Sequence, residues 1–180
     1  MNDVLDKNLI EKIKNIRLLI LDVDGVMTDG KIIMDHMGNE LKNFHVRDGH
    51  GIKILMRYDI DVIILTGRRS TVVERRAYEL GIKEVHQGIF NKLEVSEEIL
   101  KKRSLEYAHI AYVGDDIVDI SLLKRVGFSV AVADAAEDVK KCVDYITKKK
   151  GGYGAVREVC ELILRGQDKW SDVAKKYELL

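Results

Sequence analysis

The segment "IRLLILDVDGVMTDG" carries two acidic residues, Asp22 and Asp24, at the tip of the most apolar run in the chain. Burying unpaired carboxylates is costly, so such a placement calls for compensation. Residues i and i+2 of an extended segment point the same way, which aims Asp22 and Asp24 at one site. Two carboxylates that close raise each other's pKa unless a cation lies between them. A second acidic stretch, "GDDIVD", supplies Asp115, with Asp116 and Asp119 behind it. Few, hard, anionic oxygen donors suit Mg²⁺, which keeps several waters and takes a phosphate oxygen. The chemistry written in these residues is metal-assisted work on a phosphate group.

Two further stretches fit an anionic ligand. Thr66 opens "TGRRSTVVERR", and its hydroxyl reads either as a phosphate contact or as a helix cap; Ser70 is the better cap, which frees Thr66. Lys92 begins a helical pattern after "FN". A lysine in a first helical turn opposes the helix dipole, a placement that makes sense beside an anion and is otherwise an ordinary surface lysine. Arginine forks match carboxylates bidentately, so Arg68 and Arg76, eight positions apart and expected on similar faces of one helix, are candidates for an acidic substrate. Arg47 and Asp48 read either as substrate contacts or as an ion pair at a helix start. Asp119 reads as a support behind the site or as a solvated first-turn acid. The five histidines have no metal-like spacing and give no zinc signature.

Something must bring these residues together. Apolar strand patterns cover residues 17–21, 62–65, 84–86, 110–113, 129–133 and 144–146. Helical patterns cover 49–58, 71–80, 92–103, 117–125 and 135–142, with a short amphipathic helix in the first 15 residues and one or two helices from 153 onward. Strand–helix alternation predicts an α/β, doubly wound, mostly parallel sheet. Residues 30–46 break the rhythm with two strand-like arms around "DHMGNE", a β-hairpin inserted after the first strand. One domain over 1–180 is expected, with the hairpin insert at about 30–46 and a helical tail at about 153–180. "GGYGAVRE" reads as a flexible hinge or as a loop and cap. In such sheets ligands gather at the carboxyl ends of the strands. The acidic, Thr-Gly-Arg and Gly-Asp-Asp stretches all fall there.

Composition excludes several classes. Hydrophobic residues make up 46% and charged residues 33% of the 180, as in a globular protein. The formal net charge of zero argues against general attraction to nucleic acid or anionic lipid. No apolar run approaches the roughly 20 residues of a membrane span, and the first 15 residues lack a signal peptide's apolar core. Cys142 and Cys160 read as two free buried thiols of a cytoplasmic protein.

"DVDGVMTDG", "LTGR", the lysine of "NKLE" and "GDDIVD", in that order, resemble the four-motif signature of the haloacid dehalogenase superfamily of phosphatases. The likeness runs from about residue 17 to 165. The hairpin in place of a cap domain, "FHVRDGHGI" and "GGYGAVREV" are similar to the cap-less 3-deoxy-manno-octulosonate 8-phosphate phosphatase family. The resemblance implies a Rossmann-like fold without a cap and a Mg²⁺-dependent phosphomonoesterase. Asp22 would be the nucleophile, forming an aspartyl-phosphate, and Asp24 the acid and then base. Thr66 and Lys92 would bind the phosphoryl group. Metal ligands would be Asp22, the Asp24 carbonyl and Asp115, with Asp116 and Asp119 behind them. Substrate contacts would come from Asp24, His45, Val46, Arg47, Asp48, Gly49, Arg68, Arg76 and Lys92. The implied partner is a small sugar-acid phosphate, and the implied assembly a cytoplasmic homotetramer whose hairpins associate and whose sites are completed by neighbours, serving lipopolysaccharide synthesis.

Two other readings use the same residues. A phosphatase for a nonulosonate 9-phosphate or other sugar phosphate would share the catalytic set. A phospho-accepting receiver domain also clusters aspartates, a Thr and a Lys around Mg²⁺, but receivers lack the Asp-x-Asp-Gly tip and the inserted hairpin.

Overall fold

The computed structural model describes residues 6–179. Six parallel strands form the central sheet in the order β5-β4-β1-β6-β7-β8. They are β1 (Leu18–Leu21), β4 (Asp61–Thr66), β5 (Glu84–Gln87), β6 (Ile110–Gly114), β7 (Phe128–Ala131) and β8 (Tyr145–Ile146). All four residues of β1 are fully buried, as expected of a central strand covered on both faces. Each such Leu or Ile contributes roughly 1.5–3 kcal/mol through burial.

The helices follow from the crossovers. The chain steps outward from β1 to β4 and β5 through α2 (Val46–Arg57) and α3 (Thr71–Leu80). It then returns to β6 and continues to β7 through α4 (Lys92–Arg103) and α5 (Ile120–Leu123). Right-handed crossovers that reverse direction put these pairs on opposite faces. α1 (Lys7–Lys14) and α7 (Ala155–Gly166) join α2, and α6 (Glu137–Lys140) and α8 (Trp170–Lys176) are short. α7 buries Val156, Val159, Cys160, Ile163 and Leu164, a stripe at helical spacing.

β2 (Ile33–Met34) and β3 (Glu40–Leu41) pair antiparallel as a separate hairpin between β1 and α2, and among the described residues no cap domain is inserted. Several expectations need correction. α2 begins at Val46, three residues early, so Val46, Arg47 and Asp48 are helical as well as Gly49. The helix expected over 117–125 opens as a 3-10 turn, Ile117–Asp119, before α5, because Asp116 and Asp119 cap it reciprocally. The helix expected over 135–142 shrinks to α6, leaving Cys142 half-buried in the following turn; only Cys160 is fully buried. The amphipathic N-terminal helix is α1; the first five residues of that expectation lie outside the described residues.

"GGYGAVRE" is no flexible hinge. Gly151 and Gly152 press on the chain after β1: a Cβ on Gly151 would lie 1.6 Å from the Gly25 carbonyl oxygen, and the Gly152 N–H donates to Val26 O at 2.9 Å. The Asp48 carboxylate accepts the N–H groups of Gly154 (3.3 Å) and Arg157 (2.8 Å), so α2 caps the start of α7. With those oxygens committed, Asp48 forms no ion pair with Arg47; the His45 ring nitrogen Nδ1 lies 3.9 Å from its Oδ2.

Candidate active site

β4, β1 and β6 are neighbours, so the ends of three strands meet at the middle of one sheet edge. Thr66 closes β4, Asp22 follows β1 and Asp115 follows β6. The Asp22 N–H donates to Val113 O, tying the first strand's tip to the third. The turn after Asp24 depends on Gly25. Its φ is +90°, and a Cβ there would lie 2.0 Å from Asp115 Oδ2, so a side chain would displace a candidate ligand.

A cavity of about 350 Å³ opens above these tips. Asp22, Asp24, Thr66, Lys92 and Asp115 all line it, together with Gly67, Arg68 and Asp116; Ile89, Phe90 and Val118 form an apolar rim. Thr66 is buried, and Ser70 caps α3 by accepting the Val73 N–H at 3.4 Å, so Thr66 is not the cap. Asn91 caps α4, which sets Lys92 in the first turn pointing inward.

The buried Lys92 ammonium donates to Asp22 Oδ1 at 2.8 Å, to Asp119 Oδ1 at 2.6 Å and to the Tyr112 hydroxyl at 3.0 Å. Asp119, with no exposed surface, also accepts the Tyr112 O–H on Oδ1 and the N–H groups of Asp115 and Asp116 on Oδ2. Four donors saturate it. Asp22, Asp115 and Asp119 have oxygens within 4.8 Å of one another. Asp119's oxygens are spoken for, so it supports the site rather than serving as a free ligand. The Asp116 side chain itself turns to the chain that follows, where its Oδ1 accepts the Ile117 N–H at 2.7 Å.

Burial pushes Asp22 up to about 6, with Lys92 opposing and Asp119 reinforcing the rise. Burial pushes Asp115 up to about 8, and the charges of Asp22 and Asp119 add to it. Burial works against the Lys92 ammonium, but Asp22 and Asp119 outweigh it and hold its pKa above the usual lysine value. One ammonium does not neutralise three carboxylates, so the site is built for another cation. All the available donors are oxygens, the chemistry that fits Mg²⁺.

Asp24 is held by two cations. Lys42 of the hairpin donates to Oδ1, and Arg68 Nε lies 3.6 Å from Oδ2. Glu40 bridges the same pair, 3.3 Å from Lys42 and 3.2 Å from Arg68. Arg68 precedes α3 instead of lying on it, so it shares no helix face with Arg76.

The remaining expected contacts lie elsewhere. Arg76 stacks over Phe44 at 5.7 Å, donates to Glu79 and sits over Gly49, where a Cβ would lie 2.4 Å from its Nη2. His45 and Arg47 line a different cavity beside Tyr153 and Arg157. Val46 is exposed and Asp48 is buried as a cap. None of His45, Val46, Arg47, Asp48, Gly49 and Arg76 lines the cavity of Asp22 in the same protomer. Sequence reasoning passed over Lys42, Glu40 and Tyr112. The signals were a Glu-x-Lys alternation on one hairpin arm and a lone hydroxyl inside the apolar run "IAYVG".

Known proteins with this architecture are close in sequence. A family model described as haloacid dehalogenase-like hydrolase matches residues 76–159, which include Lys92 and Asp115–Asp119. The 3-deoxy-D-manno-octulosonate 8-phosphate phosphatase of Escherichia coli K12 is 50% identical over 90% of this chain and 86% of its own. The crystal structure of the Yersinia pestis phosphatase of that name is 51% identical, with a TM-score of 0.89 over 91% of this chain and 88% of its own. The Moraxella catarrhalis one, solved in complex with a magnesium ion, a phosphate ion and a KDO molecule, is 43% identical with a TM-score of 0.92, covering 94% of this chain and 97% of its own. Likeness of this extent makes the chain a member of the haloacid dehalogenase-like hydrolases.

Proposed function

We propose that the chain hydrolyses 3-deoxy-D-manno-octulosonate 8-phosphate to the free sugar acid and phosphate, with Mg²⁺ as cofactor and a phosphorylated Asp22 as intermediate. The observation that carries this reading is the buried Lys92, fixed between Asp22 and Asp119 at the floor of a cavity shared with Asp24, Thr66 and Asp115. The relatives named above supply the substrate.

In the first half-reaction an Asp22 carboxylate oxygen attacks phosphorus, the bond from phosphorus to the sugar's ester oxygen breaks, and Asp24 gives its proton to that oxygen. In the second, Asp24 takes a proton from water, the water oxygen attacks phosphorus, and the Asp22–phosphorus bond breaks to release phosphate. Lys92 and the Thr66 hydroxyl offset charge on the phosphoryl oxygens throughout. Asp22, Asp115 and the backbone carbonyl of Asp24 would hold Mg²⁺, which supplies Lewis-acid neutralisation of the same oxygens.

The active unit in this reading is a homotetramer. Ile32, Met34, Met37 and Leu41 on the hairpin are each more than half exposed, an apolar surface suited to self-association. His45, Arg47 and Arg76, which turn away from their own protomer's cavity, would in this reading serve a neighbour's. The product sugar acid feeds lipopolysaccharide precursor synthesis in the cytoplasm.

The test is phosphate release across a panel of sugar-acid and neutral sugar phosphates, with and without EDTA. Multiple Mg²⁺-dependent turnovers with preference for the octulosonate ester support the reading. Preference for a nonulosonate 9-phosphate overturns the substrate, and a single turnover overturns the phosphatase.

A further inference from the structure

The hairpin reaches the catalytic centre through Lys42, which touches Asp24, and Glu40, which holds Arg68. Lys42 lies just past β3, and its side chain is only 1% exposed although the hairpin is otherwise open to solvent. Its ammonium touches two carboxylates, Asp24 Oδ1 and, at 3.3 Å, Glu40. A lysine buried to this degree on a two-stranded ribbon has lost most of its hydration, and only charge-assisted bonds offset that loss. Arg68 holds the other oxygen of Asp24, and Glu40 holds Arg68. The Asp24 carboxylate is thus gripped from both oxygens by groups outside its own strand.

We infer that Lys42 is a positioning residue for Asp24, fixing the carboxylate in the orientation from which it exchanges a proton with the leaving oxygen, and that the hairpin is part of the catalytic apparatus. This rests on the role given to Asp24 above. A carboxylate on a glycine-flanked turn has rotamers to choose from, and misplacement of a proton-transfer group by about 1 Å costs on the order of 100-fold in rate. Lys42 removes that freedom. Because β2 and β3 lie outside the central sheet, Lys42 and Glu40 are where the hairpin's position is felt at Asp24.

The test compares wild type, K42M, K42R and E40Q by steady-state kinetics on the octulosonate ester. Thermal melting is measured with and without Mg²⁺. K42M is expected to lose about 100-fold in kcat with KM within about twofold, while its melting temperature still rises with Mg²⁺ as in wild type. K42R is expected to recover most of kcat, and E40Q, which loosens Lys42 and Arg68 together, to fall between. Wild-type kcat in K42M overturns the inference, as does a loss that resides in KM. A kcat loss that K42R shares in full and that tracks a lower melting temperature assigns Lys42 a structural role only and also overturns it. If wild type itself shows no turnover, the phosphatase reading fails, an outcome distinct from failure of the Lys42 variants alone.

Discussion

Asp119 and Lys92, 27 residues apart in sequence, meet at 2.6 Å in the interior, and Asp119 has no exposed surface. Lys92 keeps Asp22 when Asp119 loses its charge. An amide at 119, however, turns one of two fully used acceptors into a donor and orphans buried donors among Lys92, Tyr112 and the N–H groups of Asp115 and Asp116, which costs about 3 kcal/mol. D119N is therefore expected to lower the melting temperature by about 10 °C. It is also expected to lower activity by releasing Lys92 and the loop N–H groups of Asp115 and Asp116. Calorimetry on purified D119N checks this; a melting point equal to wild type defeats it.

Lys92 likewise keeps Asp119 and Tyr112 when Asp22 loses its charge. D22N is expected to fold with wild-type stability or better and to retain less than about 1% of turnover, since an amide oxygen is a poor nucleophile. Acid-quenched wild type incubated with ³²P-labelled substrate is expected to carry label on protein, and D22N none. Labelled D22N would remove Asp22 from the covalent step.

Without a metal, Asp22 and Asp115 should make stability fall as pH rises. Both are raised in the folded protein, to about 6 and about 8, from an ordinary 3.8. Groups that bind protons more tightly when folded stabilise fully below the unfolded pKa and lose that contribution as pH climbs through the folded one. EDTA-treated protein is accordingly expected to lose melting temperature between about pH 4 and pH 8. Saturating Mg²⁺ is expected to reverse that trend near pH 8, by about 2.7 kcal/mol at a hundredfold excess over Kd. A Mg²⁺-independent melting curve at pH 8 contradicts the metal assignment.

Asp48 predicts an effect on stability. It caps α7 from α2, and D48A is expected to cost about 1–3 kcal/mol by orphaning the N–H groups of Gly154 and Arg157. Denaturant midpoints measure this, and an unchanged midpoint defeats the capping role.

Sharing of sites between protomers predicts complementation. R47A and D22N, each weak alone, are expected to regain up to about a quarter of wild-type activity when co-expressed. Mixed tetramers then contain sites with an intact Asp22 and a neighbour's intact Arg47. Activity no higher than the average of the two homomers counts against shared sites.

Much of the architecture was readable from residue order. Strand tips with charges follow from apolar runs that stop at Asp22, Thr66 and Asp115, and helices 71–80 and 92–103 stand where their caps Ser70 and Asn91 put them. The start of α2 was misjudged because Asp48, which resembles a first-turn acid of its own helix, spends both oxygens on another helix over 100 residues away.

By itself the sequence determined that the chain is a parallel α/β protein with acidic groups at strand ends, because burial period and turn chemistry are local properties of the chain. Only the tertiary structure decided which groups work together. It set Lys92 between Asp22 and Asp119, brought Lys42 from the hairpin onto Asp24, and turned Arg76 toward Phe44 and Gly49 and away from its own cavity. These are contacts between segments far apart in sequence. Their partners are chosen by strand order and by the need to neutralise charge in a buried space, and neither is encoded in any local pattern.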